Sequence, residues 1–172
     1  MTIRVTLLAL LLIACGDPST ARAQSPACNA PAYREFDFWL GQWDVFERGS
    51  STKTADVLVT AELGGCVIRE TYEDTTGLRG VSLSSYDAQA ERWQQTWVTN
   101  RGQLLVIHGR RAASGMSFAG WMHETDGETQ VRATWAPDGD GVRETAERSR
   151  DGGTTWTPWF DLSFRHRSPG AK

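Results

Sequence analysis

Glu70 combines an ionisable side chain with a place on an apolar face of the chain. It lies in a strand-like segment where Ile68, Glu70 and Tyr72 occupy every second position. Because successive side chains of a strand point to opposite faces, an inward Ile68 brings the Glu70 carboxyl inside too. A buried carboxyl needs a partner or has a raised pKa. We expect Glu70 to orient a ligand or to act as a general acid or base; the alternative is a structural carboxylate paired with a neighbour of Arg69 or with Arg132.

A second strand-like segment places an amide between two tryptophans. Trp93, Gln95 and Trp97 share one face of it. Gln95 is therefore expected to be a polar group in an aromatic-lined cavity, and solvent exposure of that face is the alternative. With residues from neighbouring segments, the side chains expected to contact a ligand are Glu70, Tyr72, Trp93, Gln95, Trp97, His108, Met116 and Phe118.

The histidines give little support for a metal or a cofactor. His108, His123 and His166 fall on three different segments without the close spacing of a zinc site. The chain also lacks a G-x-S-x-G motif, a phosphate loop and a Cys-His pair for nucleophilic catalysis. We expect no metal and no cofactor. Haem is the one alternative, with His166 as axial ligand because it is in register with the apolar Phe164.

The elements that must position these residues are strands. Beyond Gly41, strand-like runs are each closed by Gly, Asp or Asn. Short connections between neighbours force antiparallel pairing, and about ten such strands close most easily into an up-and-down barrel. The sequence thus predicts an all-β, lipocalin-like barrel, with a two-sheet sandwich as the alternative. The runs are 42–49, 54–62, 65–73, 78–87, 91–100, 103–111, 115–124, 128–136, 141–149 and 155–166.

The segment 35–45 introduces the barrel. Phe36, Trp39 and Leu40 have the spacing of one helical face, and Gly41 suits the end of a helix. From there the pattern alternates as in a strand. The sequence therefore predicts a short capping helix followed directly by the first strand.

Two local motifs are read as structural. Gly41-Gln42-Trp43 resembles the G-x-W of lipocalins, which implies a tryptophan packed at the closed barrel end against Arg165 or Arg167. Residues 149–156 fit the pattern S-x-D-x-G-x-T-W, the Asp-box turn of sialidase propellers. One copy cannot form a propeller, so we interpret it as a hairpin turn in which Trp156 packs below.

The start Phe-Asp-Phe-Trp-Leu-Gly-Gln-Trp at 36–43, the segments 65–70 and 93–97 and the Asp-box-like turn together resemble a known family. It is a domain-of-unknown-function family of small secreted bacterial proteins with an FDFWLGxW start. The likeness covers residues 33–167. The resemblance implies a lipocalin-like or nitrobindin-like barrel and implies no particular activity.

The N-terminus has the pattern of an export signal. Residues 1–14 contain Arg4 and then an apolar run too short to span a bilayer. The run ends at Leu12-Ile13-Ala14-Cys15, which resembles a lipobox and predicts a lipidated Cys15; ordinary cleavage after Ala23 is the alternative. We expect a tether over 15–32, a barrel domain over 33–168, and a periplasmic protein anchored to the outer membrane.

The remaining cysteines form an even pair. Export to an oxidising compartment leaves Cys28 and Cys66 free to bond. We expect a disulfide that ties the N-terminal segment to the third strand, the alternative being two unpaired residues.

Composition limits the function classes. A chain of 172 residues fits one domain, and its net charge of −3 gives no electrostatic footprint for nucleic acid. The expected partner is a small hydrophobic molecule, with membrane contact only through the lipid anchor. The leading hypothesis is a ligand-binding barrel. The alternatives are an isomerase or cyclase that uses Glu70, a haem-binding nitrobindin-like protein, and a structural envelope lipoprotein with a filled interior.

Overall fold

The computed structural model of the chain describes residues 28–167. The predicted signal peptide, the lipidation at Cys15, the alternative cleavage after Ala23 and most of the tether lie outside the described residues. Among the described residues, no helix has the length and apolar character needed to cross a membrane.

The fold is a closed barrel of ten antiparallel strands, as predicted. Each strand pairs with its neighbours in sequence, and β1 pairs with β10 to close the ring. The strands are β1 Gly41–Glu47, β2 Lys53–Glu62, β3 Val67–Asp74, β4 Arg79–Asp87, β5 Arg92–Thr99, β6 Leu104–Ala112, β7 Gly115–Glu124, β8 Gly127–Asp138, β9 Gly141–Ser149 and β10 Thr157–His166.

The strand that contains Glu70 begins later than predicted. The chain forms a 3₁₀ turn, Leu63–Gly65, before β3, and Gly64 and Gly65 both have positive φ there. This conformation is readily available to glycine but cannot continue a strand. Cys66 therefore lies in the β2–β3 connection and just outside the strand.

The predicted capping helix is two short 3₁₀ turns, Pro31–Arg34 and Asp37–Trp39. Between them the backbone of Phe36 leaves helical geometry, at φ −106° and ψ 8°. The cap nevertheless buries two of its aromatic residues: Phe36 is 0% and Trp39 1% exposed. Phe36 contacts Phe118 and Trp135 from the barrel wall. The cap closes this end of the barrel.

The residue that packs on Trp43 differs from the expectation. Trp43 is buried and donates from its indole nitrogen to the Trp39 carbonyl at 3.0 Å. His166 stacks on it, with ring centroids 4.0 Å apart. Arg165 instead lies over Phe46. The prediction of an arginine at this position is wrong, because Trp43 and His166 are cross-strand partners and side chains of such partners lie on one face.

Arg167, the other candidate for that contact, lies elsewhere. Its guanidinium forms ion pairs with Asp44 and Asp56. Asp44 and Asp56 are themselves cross-strand partners in β1 and β2. Arg167 therefore joins the end of the described chain to the side chains of the first hairpin.

The predicted disulfide is confirmed. Cys28 and Cys66 are bonded, with their Cα atoms 5.1 Å apart and 38 positions apart in sequence. Arg34 also donates to the Gly65 carbonyl. The cap is thus held to the β2–β3 connection by one covalent bond and one hydrogen bond.

The Asp-box-like segment forms the β9–β10 turn, as interpreted. Asp151 accepts from the Thr155 amide at 2.9 Å and from the Ser149 hydroxyl at 2.7 Å. Trp156 donates to the Gly153 carbonyl at 3.0 Å. Arg132 lies over the Trp156 ring, 4.2 Å from its centroid. The side chains of this turn therefore stabilise the turn itself, and their role is structural.

Candidate functional site

A cavity of about 300 Å³ occupies the half of the barrel opposite the cap. It reaches the β3–β4 and β5–β6 connections, where Leu78 and Gln103 line it. Several lining residues are partly exposed, including Tyr72, Trp97 and Trp159, so the cavity opens to solvent. The closed half is filled by buried aromatic and apolar side chains from the cap and the wall. The barrel therefore has one filled end and one open end.

Small residues on β4 leave room for an aromatic side chain of the cavity wall. Gly80, Ser82 and Ser84 face the interior and are buried. A Cβ atom on Gly80 would come within 2.1 Å of the Trp97 ring, so only glycine permits this packing. Trp97 lies edge-on to Tyr72, with centroids 5.8 Å apart.

A bulge in β10 adds two adjacent aromatic residues to the wall. The register of β10 against β9 shifts between Pro158 and Phe160. In a regular strand consecutive residues face opposite sides, but a bulge redirects one of them. As a result, Trp159 and Phe160 both line the cavity.

Glu70 lies inside the cavity, as its strand parity predicted. It is only 8% exposed, and Oε2 accepts a hydrogen bond of 2.8 Å from Ser82 Oγ. Burial raises the pKa of Glu70 to about 7, although the Ser82 hydrogen bond acts in the opposite direction. The alternative pairing with Arg132 is not formed, because Arg132 bonds Glu147 instead.

Gln95 is the second buried polar group of the wall. It is 4% exposed, and its Nε2 donates to Ser84 Oγ at 3.1 Å. Gln95 and Ser84 are cross-strand partners in β5 and β4. Two serines of β4 therefore hold the two polar side chains, Ser82 for Glu70 and Ser84 for Gln95.

Glu144 is a third polar group, which the sequence analysis missed. It lies on β9 between the buried Val142 and Ala146, and it lines the cavity. Burial raises its pKa well above the ordinary value, and the charge of Glu70 raises it further. The signal was present in the sequence, because Val142, Glu144 and Ala146 alternate in the same way as the residues around Glu70.

The Tyr72 hydroxyl is affected by the charges of these carboxyl groups. Burial raises its pKa to about 12, and the negative charges of Asp74, Glu70 and Glu144 contribute in the same direction. Its hydroxyl is therefore neutral at physiological pH. Tyr72 can donate one hydrogen bond into the cavity without adding charge.

Four of the eight predicted ligand-contact residues line the cavity, namely Glu70, Tyr72, Gln95 and Trp97. Three others face inward but fill the closed half: Trp93 packs on Phe36, and Met116 and Phe118 are buried in the same core. Strand parity gave their face correctly. It does not give their height along the barrel axis, which decides between core and cavity.

His108 is on the outer wall, so the expectation that it lines the interior is wrong. Its cross-strand partner Gln94 is exposed, and the two side chains are 3.1 Å apart at Nε2 and Oε1. Leu105 and Ile107 are the inward residues of β6. His108, next to Ile107, must point outward.

The composition of the cavity wall suits a small molecule that has an apolar body and one polar group. The described lining residues include no Lys, Arg or His. His166, the candidate haem ligand, stacks on Trp43 and does not line the cavity. Among residues 28–167, no three His, Cys, Asp or Glu side chains come together as a metal site would require. The polar groups of the wall are therefore carboxyl, amide, phenol and indole N–H groups, and the buried Trp135 Nε1 has no hydrogen-bond partner among residues 28–167.

Comparison of the sequence with protein-family models finds no matching family, and comparison with curated proteins finds no match. The likeness to the FDFWLGxW family therefore stays a prediction. The function proposed below is therefore inferred from the fold and the cavity.

Proposed function

We propose that this protein is an exported binding protein that holds one small apolar or amphipathic molecule inside its barrel. The observation that carries the proposal is the open cavity of about 300 Å³ with an aromatic wall and a few buried polar groups. Small-molecule sites have this composition: apolar walls supply most of the contact and a few polar groups fix orientation. An envelope protein with a filled interior would not need such a space.

Native mass spectrometry of the protein purified from a periplasm tests this proposal first. We expect a co-purifying small molecule that is lost on denaturation. Thermal shift and tryptophan fluorescence then test binding of a panel of fatty acids, alcohols, amines and aromatic compounds. Trp97→Ala should weaken binding about fivefold, because an aromatic contact contributes on the order of 1 kcal/mol.

Trp121→Ala is the matched control, because Trp121 is on the outer wall and 44% exposed. It should leave the affinity unchanged. Equal effects of the two variants, or no binding by any compound in the panel, would contradict the proposal.

Export and lipidation are inferred from the leader. The pattern Leu12-Ile13-Ala14-Cys15 supports an N-terminus acylated at Cys15. Expression in a Gram-negative host with and without globomycin tests it, because this drug blocks the lipoprotein signal peptidase. A processed mass that the drug does not change, with an N-terminus at Gln24, would contradict lipidation.

A second candidate function is acid/base catalysis on a bound ligand. The pKa of Glu70, raised to about 7, suits proton transfer near neutral pH. Glu144 supplies a second carboxyl in the same cavity. Products formed from any bound ligand are measured by mass spectrometry for the wild type and Glu70→Gln. Conversion that Glu70→Gln abolishes without loss of binding supports an enzyme; bound ligands that remain unchanged contradict it.

A further inference from the structure

The cavity wall carries acidic groups without a basic one. Glu70 uses Oε2 for the Ser82 hydrogen bond, and no partner among residues 28–167 occupies its Oε1. Glu144 has no hydrogen bond or ion pair within that part of the chain. Since no Lys, Arg or His lines the described wall, the two carboxyls have no positive charge to pair with. Glu70 is buried and Glu144 is partly exposed, and both line the cavity, so a ligand inside it meets two acidic groups, which favour a positively charged partner.

We propose that the preferred ligand of the cavity is a cationic amphiphile, a molecule with a protonated amine and an apolar body. Its ammonium group is held by Glu70 and Glu144, and its body lies against the aromatic wall. This inference rests on the proposed function, because it requires the cavity to be a binding site.

The polar groups match an ammonium donor. An ammonium group has several N–H donors and no acceptor, and carboxylates are acceptors only. Gln95 adds an amide oxygen to the wall, because it uses its Nε2 for Ser84. A carboxylate ligand would bring a further negative charge next to Glu70 and Glu144. A purely apolar ligand would leave both carboxyls buried without a partner, which is costly.

The aromatic side chains match both parts of such a ligand. Tyr72, Trp97, Trp135 and Trp159 all line the cavity. Aromatic faces attract cations and also give large apolar contact areas. The same wall can therefore hold an alkyl or aryl body and stabilise the adjacent charge.

The groups that face Glu70 determine how cation binding depends on pH. Glu70 faces Tyr72 on its own strand, Glu144 from β9, and the neutral Val59 and Ser82 on the neighbouring strands. Burial raises the pKa of both glutamates, and this disfavours their ionised forms in the empty cavity. Bound ammonium favours the ionised carboxylates and releases protons. Affinity should therefore rise with pH.

The test uses the purified protein with three probes that share one tail: octylamine, octanol and octanoate. Affinities are measured by tryptophan fluorescence and calorimetry at about pH 8 and about pH 5.5, on either side of the Glu70 pKa. We expect octylamine to bind at least about tenfold more tightly than octanol at the higher pH, and to lose that advantage at the lower pH. Octanoate should bind most weakly.

Two isosteric variants test whether Glu70 and Glu144 cause the preference for octylamine. Glu70→Gln and Glu144→Gln should each reduce octylamine affinity about tenfold and leave octanol affinity unchanged. Glu73→Gln is the control, because Glu73 is on the same strand as Glu70 but exposed on the outer wall. Near-ultraviolet circular dichroism verifies folding. The pH dependence of octylamine binding is measured on the wild type, so it tests the proposal even if a variant fails to fold.

The outcomes separate this inference from the proposed function. Octanol that binds as tightly as octylamine, or octylamine binding that neither glutamine variant changes, would overturn the inference and leave the proposed function standing. Binding by none of the three probes would overturn both.

Discussion

Ser82 Oγ donates a hydrogen bond of 2.8 Å to Glu70 Oε2 inside the barrel, and the two residues are direct cross-strand partners in β4 and β3. This is the only hydrogen bond that the Glu70 side chain makes among residues 28–167. It stabilises the ionised carboxylate and so opposes the effect of burial. Burial has the larger effect on the pKa of Glu70, and the Ser82 hydroxyl partly offsets it.

Ser82→Ala should raise the pKa of Glu70 above its wild-type value of about 7. The variant removes the hydrogen bond that favours the charged form and leaves the burial in place. The carboxyl carbon of Glu70 is titrated by NMR. Ser84→Ala is the control, because Ser84 bonds Gln95 instead. Identical Glu70 titrations in the wild type and Ser82→Ala would contradict the prediction.

The unfolding free energy should fall as the pH rises between about 4.5 and 7. The pKa of Glu70 is raised to about 7 in the folded protein from an ordinary value of 4.5, so the folded state binds more protons in this window. The contribution is fully present below pH 4.5 and is lost as the pH rises through 7. Glu144 acts in the same direction.

Urea unfolding across this window tests the dependence. Relative to Glu70→Gln, the wild type should lose roughly 3 kcal/mol, because one pKa unit corresponds to about 1.4 kcal/mol. Glu73→Gln, exposed on the outer wall, should follow the wild type. Parallel curves for the wild type and Glu70→Gln would show that Glu70 does not titrate in this way.

Removing the disulfide should destabilise the barrel. The bond closes a loop across 38 positions that contains the cap, β1 and β2. Loop-closure entropy gives a loss of roughly 3 to 4 kcal/mol for a double replacement of Cys28 and Cys66 by serine. Denaturant unfolding measures this loss. A reducing agent should destabilise the wild type and leave the double variant unaffected; an equal response of both would count against the prediction.

Asp151→Ala should lower the melting temperature by opening the β9–β10 turn. Hydrogen bonds from Thr155 and Ser149 lower the pKa of Asp151 to about 2. The stabilisation is present above the ordinary pKa of 3.8 and is lost as the pH falls toward 2. Melting curves at several pH values should therefore converge for the wild type and the variant in acid. Asp140→Ala, in the exposed β8–β9 turn, should have little effect at any pH.

Much of the fold could be predicted from the sequence because turns and alternation are local signals. Glycine, aspartate and asparagine mark the connections, and the two-residue period gives each strand an inner face. The two-residue period alone is enough to assign Glu70, Gln95 and Trp97 to the interior of the barrel. The same rule would have found Glu144, since Val142 and Ala146 flank it on β9.

The features that could not be predicted from the sequence depend on long-range geometry. Trp93, Met116 and Phe118 face inward, but strand tilt and register place them in the closed half. The partner of Trp43 is His166 because of the β1–β10 register, which no local pattern encodes. The cap is two 3₁₀ turns because the backbone at Phe36 departs from helical geometry.

The chain enters and leaves the barrel at the capped end. Cys28 is bonded to the β2–β3 connection there, and the Arg167 amide donates to the Gln42 carbonyl at 2.9 Å. The cavity reaches the connections of the opposite end. A tag, a fusion partner or a surface attached at either end of this domain therefore leaves the cavity entrance unobstructed, and immobilised protein can be used to test the proposed ligand binding.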